Sequence, residues 1–114
     1  MKMPTDTDLI SKVRDVLEAC AKERKTITFG EIEKRVGQKI AAWKKVLDPI
    51  HEDCIAHGLP DLTAIVIYKE TGYPPFFSDG GEAESKRFNP NSLRQVDRWQ
   101  QEVSRVFEWG KKEK

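Results

Sequence analysis

Cysteine, histidine and long apolar runs are all scarce in this chain of 114 residues, which holds two cysteines and two histidines. Cys20 and Cys54 each fall on an apolar helical stripe, a placement that favours two buried thiols over a disulfide bridge. No apolar run reaches the roughly 18 residues that a membrane span requires. The opening M-K-M-P-T-D-T-D lacks the apolar region of a secretory signal, so a cytoplasmic protein with no membrane partner is expected. An apolar content of 38% suffices for one modest core, and the expectation is a single domain over residues 1–114 with tails at 1–7 and 110–114.

Net charge is also small, +1 from 20 basic and 19 acidic side chains, but it is unevenly spread. Residues 22–45 carry eight basic against three acidic groups, whereas 46–85 carry eight acidic against Lys69 alone. Residues 86–114 return to an excess of base, eight against four. A nearly neutral average therefore hides a basic segment that could meet phosphate and an acidic one that could meet a basic partner.

Helical periodicity is clear in the first third. Ile10, Val13, Leu17 and Cys20, with Val16 and Ala21 beside them, predict a helix over 8–24. After the extended Thr26-Ile27-Thr28, the T-x-x-E spacing of Thr28 and Glu31 is that of a capping box, and Gly37 is a C-terminal stop. Phe29, Ile32 and Val36 give the short helix between them one buried face.

A further stripe, Ile40, Trp43, Leu47, Ile50 and Cys54, crosses Asp48-Pro49. Either one helix kinks there, or a helix over 39–47 ends and Asp48 caps a second one with Pro49 at its first position. Asp-Pro as an N-terminal signature, with Gly58 as a later stop, favours the second. L-T-A-I-V-I-Y, residues 62–68, is short and β-branched and predicts a mostly buried strand. Lys69 to Gly72 is its turn, and Tyr73-Pro74-Pro75-Phe76-Phe77 returns as an edge strand. Residues 78–88 are expected to be a flexible acidic loop. Asn89 to Ser92 opens a last helix with a core stripe of Leu93, Val96, Gln100, Val103 and Phe107, flanked by Trp99 and Val106, and with Arg94, Arg98 and Arg105 on its other face.

The element order predicts an α+β fold of winged helix-turn-helix type: three N-terminal helices, a small β-hairpin wing and an appended C-terminal helix. K-T-I-T-F-G-E-I-E-K-R-V-G, residues 25–37, resembles the segment that precedes the DNA-binding helix in the alkylguanine-DNA alkyltransferases and their alkyltransferase-like relatives. That resemblance implies the fold and duplex DNA as partner. The chain departs from the family where its reactive cysteine and histidine stand, since Pro60 is followed by Asp61-Leu62-Thr63. Phe29 replaces a tyrosine, and Ala41, Ala42 and Trp43 offer no arginine finger. Alkyl-transfer chemistry is therefore not expected.

For a DNA contact, Gln38, Lys39, Ala42 and Lys45 lie off the apolar stripe and would face the groove, with Gln38 able to read an adenine edge. Lys34, Arg35 and Lys44 would approach phosphates. The competing reading is a solvated helix face. H-x-D-C-x-x-H, residues 51–57, spreads its ligand types over a wide arc of helix with no evident fourth ligand, so no metal and no cofactor are expected. Cys54 lacks the third group and oxyanion donors of a nucleophilic site, which points to a non-enzymatic protein. The expected function is a bacterial or phage regulator or accessory factor that binds duplex DNA, with a dimer as one arrangement. The alternative is an interaction module of inhibitor or immunity type, using the acidic 46–85 half against a protein, with Tyr73, Phe76 and Phe77 as a partner surface.

Overall fold

A computed structural model describes residues 6–41, 43–77 and 86–112, with the side chains among them other than those of Asp6, Thr7, Phe76, Phe77 and Lys86. Among the described residues four α-helices and two very small sheets make an α+β fold. Helix α1, Asp6–Glu23, is its centre and packs against every other helix. Val13, Leu17, Cys20 and Ala21 along one stripe are buried, as the spacing predicts. Its end is a tight turn in which Arg24, at φ 58°, donates to the Ala21 carbonyl at 3.1 Å and Lys25 donates to that of Cys20 at 2.9 Å.

Strand β1, Ile27–Thr28, leads directly into α2, Phe29–Val36. Helix α3 runs Trp43–Ala56 without a break, carrying Pro49 inside it. The expected second helix capped by Asp48 does not form, and neither does the expected start at residue 39. Pro49 removes one backbone donor and crowds the preceding turn, at a cost of about 3 kcal/mol. Burial on both sides of it, by Val46, Leu47, Ile50 and Cys54, keeps the two halves in one helix.

The segment after α3 also departs from its expected form. Leu62–Ile65 is a 3-10 helix and only Val66–Ile67 is strand, β2. Its burial agrees with the apolar run, for Leu62, Ala64, Ile65 and Val66 are all in the core. The conformation differs because Asp61 caps the turn, its Oδ1 accepting from the Thr63 N–H at 3.0 Å and the Thr63 hydroxyl at 2.6 Å.

Strand β2 pairs in parallel with β1, Ile27 opposite Val66 and Thr28 opposite Ile67. It forms no ladder with Phe76–Phe77, and of the expected hairpin with 73–77 the turn remains, closed by the Tyr68 N–H donating to the Tyr73 carbonyl at 2.9 Å. The chain does reverse at 69–72, where Gly72 at φ 74° donates to the Tyr68 carbonyl at 2.8 Å. The hairpin strands are instead β3, Phe76–Phe77, and β4, Lys86–Arg87, antiparallel to one another. Residues 78–85 of the expected acidic loop lie outside the described residues, while Phe88 at its end is buried.

Helix α4, Leu93–Lys112, extends through part of the expected C-terminal tail. Ser92 begins it, its hydroxyl accepting from the Gln95 N–H at 3.3 Å. The buried stripe is Trp99, Val106 and Gly110, with Val96, Val103 and Phe107 half-buried beside it. Leu93 is 85% exposed and Gln100 is exposed, so the helix is rotated from the expected stripe. Trp99 sets that rotation: its indole N–H donates to the Ala64 carbonyl at 2.7 Å, and its ring joins Phe88 and Tyr73 in a second small core. Among the described residues no helix is long and apolar enough to cross a membrane.

Candidate nucleic-acid interface

The junction of α2 and α3 is held by short-range bonds that the sequence announces and by one that it does not. Thr28 accepts from the Glu31 N–H at 3.3 Å, satisfying one of the orphan donors at the start of α2. At the other end Gly37 takes the left-handed conformation, φ 79°, that favours glycine. The Gly37 and Gln38 amides both donate to the Glu33 carbonyl, at 2.9 and 3.2 Å. The Glu33 side chain then reaches across the turn, and its Oε2 accepts from the Ile40 N–H at 2.8 Å. Ile40 is buried, so the apolar anchor of the turn is Ile40 and not position 38.

Around this turn the structure gathers most of the expected DNA contacts. Lys34 and Arg35 occupy the last turn of α2, and Lys44 and Lys45 the first turn of α3. Gln38 and Lys39 belong to the connecting turn and not to the second helix, and all six side chains are exposed. Ala42 lies outside the described residues. Two of the cations are engaged within the fold. Lys44 is 2.7 Å from Asp48 one helical turn on, and an Arg35 Nη1 lies 3.9 Å from the Cys20 sulfur. Burial raises the Cys20 thiol pKa above its ordinary value, with the Arg35 charge opposing the rise.

Beside this basic edge is an aromatic groove that sequence reading left in the core. Phe29 and Trp43, the first residues of the two helices, meet edge to face with ring centroids 4.6 Å apart, and Phe29 lies 5.3 Å from Tyr68. The three rings and Pro75 line an open cavity of about 430 Å³. Tyr68 is 46% exposed. Walls of this kind accept a flat ring or an apolar side chain. Phe29 and Trp43 stand fourteen positions apart and meet because both helices pack on α1 and begin near one another.

Of the other expected surface, Tyr73 alone has a described side chain. Tyr73 is half-buried, its ring centroid 5.7 Å from those of both Phe88 and Trp99, so it closes the second core. The side chains of Phe76 and Phe77 lie outside the described residues.

The two histidines and the cysteine of H-x-D-C-x-x-H go to different places. Cys54 is buried and free, and desolvation raises its pKa. His57 is exposed and bonds the Asp53 carbonyl of its own helix at 2.8 Å. His51 is buried, and its Nδ1 donates to Asp61 Oδ2 at 2.7 Å. Asp61 is thus the hub of a polar network. It bonds α3 through His51, caps the 3-10 helix through Thr63, and its own amide donates to Glu102 of α4 at 2.6 Å. Burial of both His51 and Asp61 makes this a packing device between three elements.

No protein-family model, curated protein or solved structure matches this chain.

Proposed function

We propose that the protein is a non-enzymatic duplex DNA-binding protein of winged-helix type, acting as a regulator or accessory factor. The observation that carries this reading is the cluster of exposed cations, Lys34, Arg35, Lys39, Lys44 and Lys45, around a turn fixed by the Thr28 cap, the Gly37 stop and the Glu33 bridge. Two helices that both pack on α1, with charge at their junction, offer the second helix by its N-terminal end, the end that helix-turn-helix proteins direct at base edges. Since α3 begins at Trp43, Gln38 and Lys39 approach from the turn ahead of the helix, and Lys45 from its first turn. Lysines at this edge supply affinity through phosphate more than they choose a sequence. The β3/β4 hairpin is the wing in this reading.

Fluorescence anisotropy with a mixed-sequence duplex, titrated over a range of salt, tests the reading. Binding that weakens steeply with salt is expected, at about 0.9 in log–log slope for each phosphate neutralised. Changing Lys39→Glu and Lys45→Glu together should abolish it while thermal unfolding stays cooperative. Unaltered affinity in that double variant would remove this edge from the interface, and no binding at low salt would turn the assignment toward a protein partner.

A further inference from the structure

Glu33 is an acidic residue in the middle of the basic edge, where a negative charge opposes DNA. Lys34 and Arg35 follow it directly in the chain, and Lys39 lies within the turn it spans. Its side chain is nevertheless half-buried and committed, accepting the Ile40 N–H at 2.8 Å, while its carbonyl accepts the two amides that end α2. One residue therefore satisfies three donors of the connection. Ile40, so held, is itself buried against the main core. Trp43 begins α3 three residues later, so Ile40 anchors the turn that leads into the second helix, whose body packs on α1 and on the 3-10 helix.

We infer that Glu33 is a positioning residue for DNA contact: its oxygen orders the turn that carries Gln38 and Lys39 ahead of α3, and its charge is a cost the interface carries for that bond. The inference rests on the DNA-binding reading and separates two properties of one side chain. An acceptor at this place strengthens binding by ordering the turn, while the negative charge weakens it.

Three substitutions separate the two. Glu33→Gln keeps an acceptor of the same reach and removes the charge. Glu33→Ala removes both. Glu33→Asp keeps the charge but is one methylene short of Ile40. Duplex affinity should be equal to or tighter than that of the unaltered protein for Glu33→Gln. It should be about fivefold weaker for Glu33→Ala than for Glu33→Gln, the factor that one neutral hydrogen bond represents. Glu33→Asp should be weaker than the unaltered protein at unchanged net charge.

Amide hydrogen exchange at Ile40, under conditions where core amides stay protected, reads the turn without DNA. It should quicken in Glu33→Ala and Glu33→Asp, and stay slow in Glu33→Gln. Equal affinities for Glu33→Ala and Glu33→Gln, or an unaltered affinity for Glu33→Asp, would overturn the positioning role alone. Absence of duplex binding by the unaltered protein would overturn the DNA reading with it.

Discussion

Gly110 of α4 lies against the backbone carbonyl of Ala21 in α1, so close that a Cβ on Gly110 would fall on the Ala21 and Lys22 backbone. Backbone atoms at the end of α1 cannot move aside as a flexible side chain would, and the Ala21 carbonyl also accepts the Arg24 amide. Gly110→Ala gains helix propensity of about 1 kcal/mol. Overpacking should exceed that gain and leave a net loss of about 1–3 kcal/mol. The denaturant midpoint should fall accordingly; a rise would show that the two helices are less tightly apposed.

Pro49 within α3 makes the opposite prediction. Alanine there restores a donor for the Lys45 carbonyl and relieves the crowded turn, against a smaller loss because proline also restrains the unfolded chain. Pro49→Ala should stabilise the protein by about 1–2 kcal/mol in urea unfolding. Destabilisation would instead fit two helices meeting at Asp48.

The polar hub predicts a large effect from a small deletion. Asp61→Ala leaves the buried His51 imidazole and both Thr63 donors without their acceptor. A loss of about 3 kcal/mol is expected from calorimetry or chemical unfolding, the range for breaking one side of a buried pair. A loss below about 1 kcal/mol would mean that the corner admits water or another partner readily.

Acid stability should depend on Asp53. Its hydrogen bond to Arg14, with the Arg14 charge adding to it, holds the carboxyl below its usual range. A carboxyl depressed in the folded state contributes stability above its unfolded pKa, about 3.9, and loses it as pH falls through the folded value. The stability difference between the unaltered protein and Asp53→Asn should therefore be full at pH 5 to 6 and shrink below about pH 4. Asp53 is partly exposed, so this difference is small and salt should reduce it. A gap independent of pH would place the contribution elsewhere.

The basic edge was legible in the sequence because its residues are near neighbours: eleven positions span Lys34 to Lys44, and cap, stop and charge lie in one stretch. The Glu33 bridge was not, since a glutamate seven residues from an amide announces no bond. The aromatic groove was missed for a related reason, because Phe29, Trp43 and Tyr68 each look like ordinary core positions within their own elements.

What the sequence by itself determined is local. The helix of α1, the Thr28 cap, the Gly37 stop and the Ser92 start follow from periodicity and from bonds within a few residues. Tertiary structure decided the rest. Val66 pairs with Ile27 in parallel, 39 positions away, and L-T-A-I could coil because Asp61 caps it and the core covers it. Helix α3 passes through Pro49 because both of its halves are buried. Rotation of α4 follows from Trp99 reaching Ala64 and from the bare backbone of Gly110. In each case competing local conformations differ by a few kcal/mol, and the burial of groups distant in the chain is large enough to choose between them.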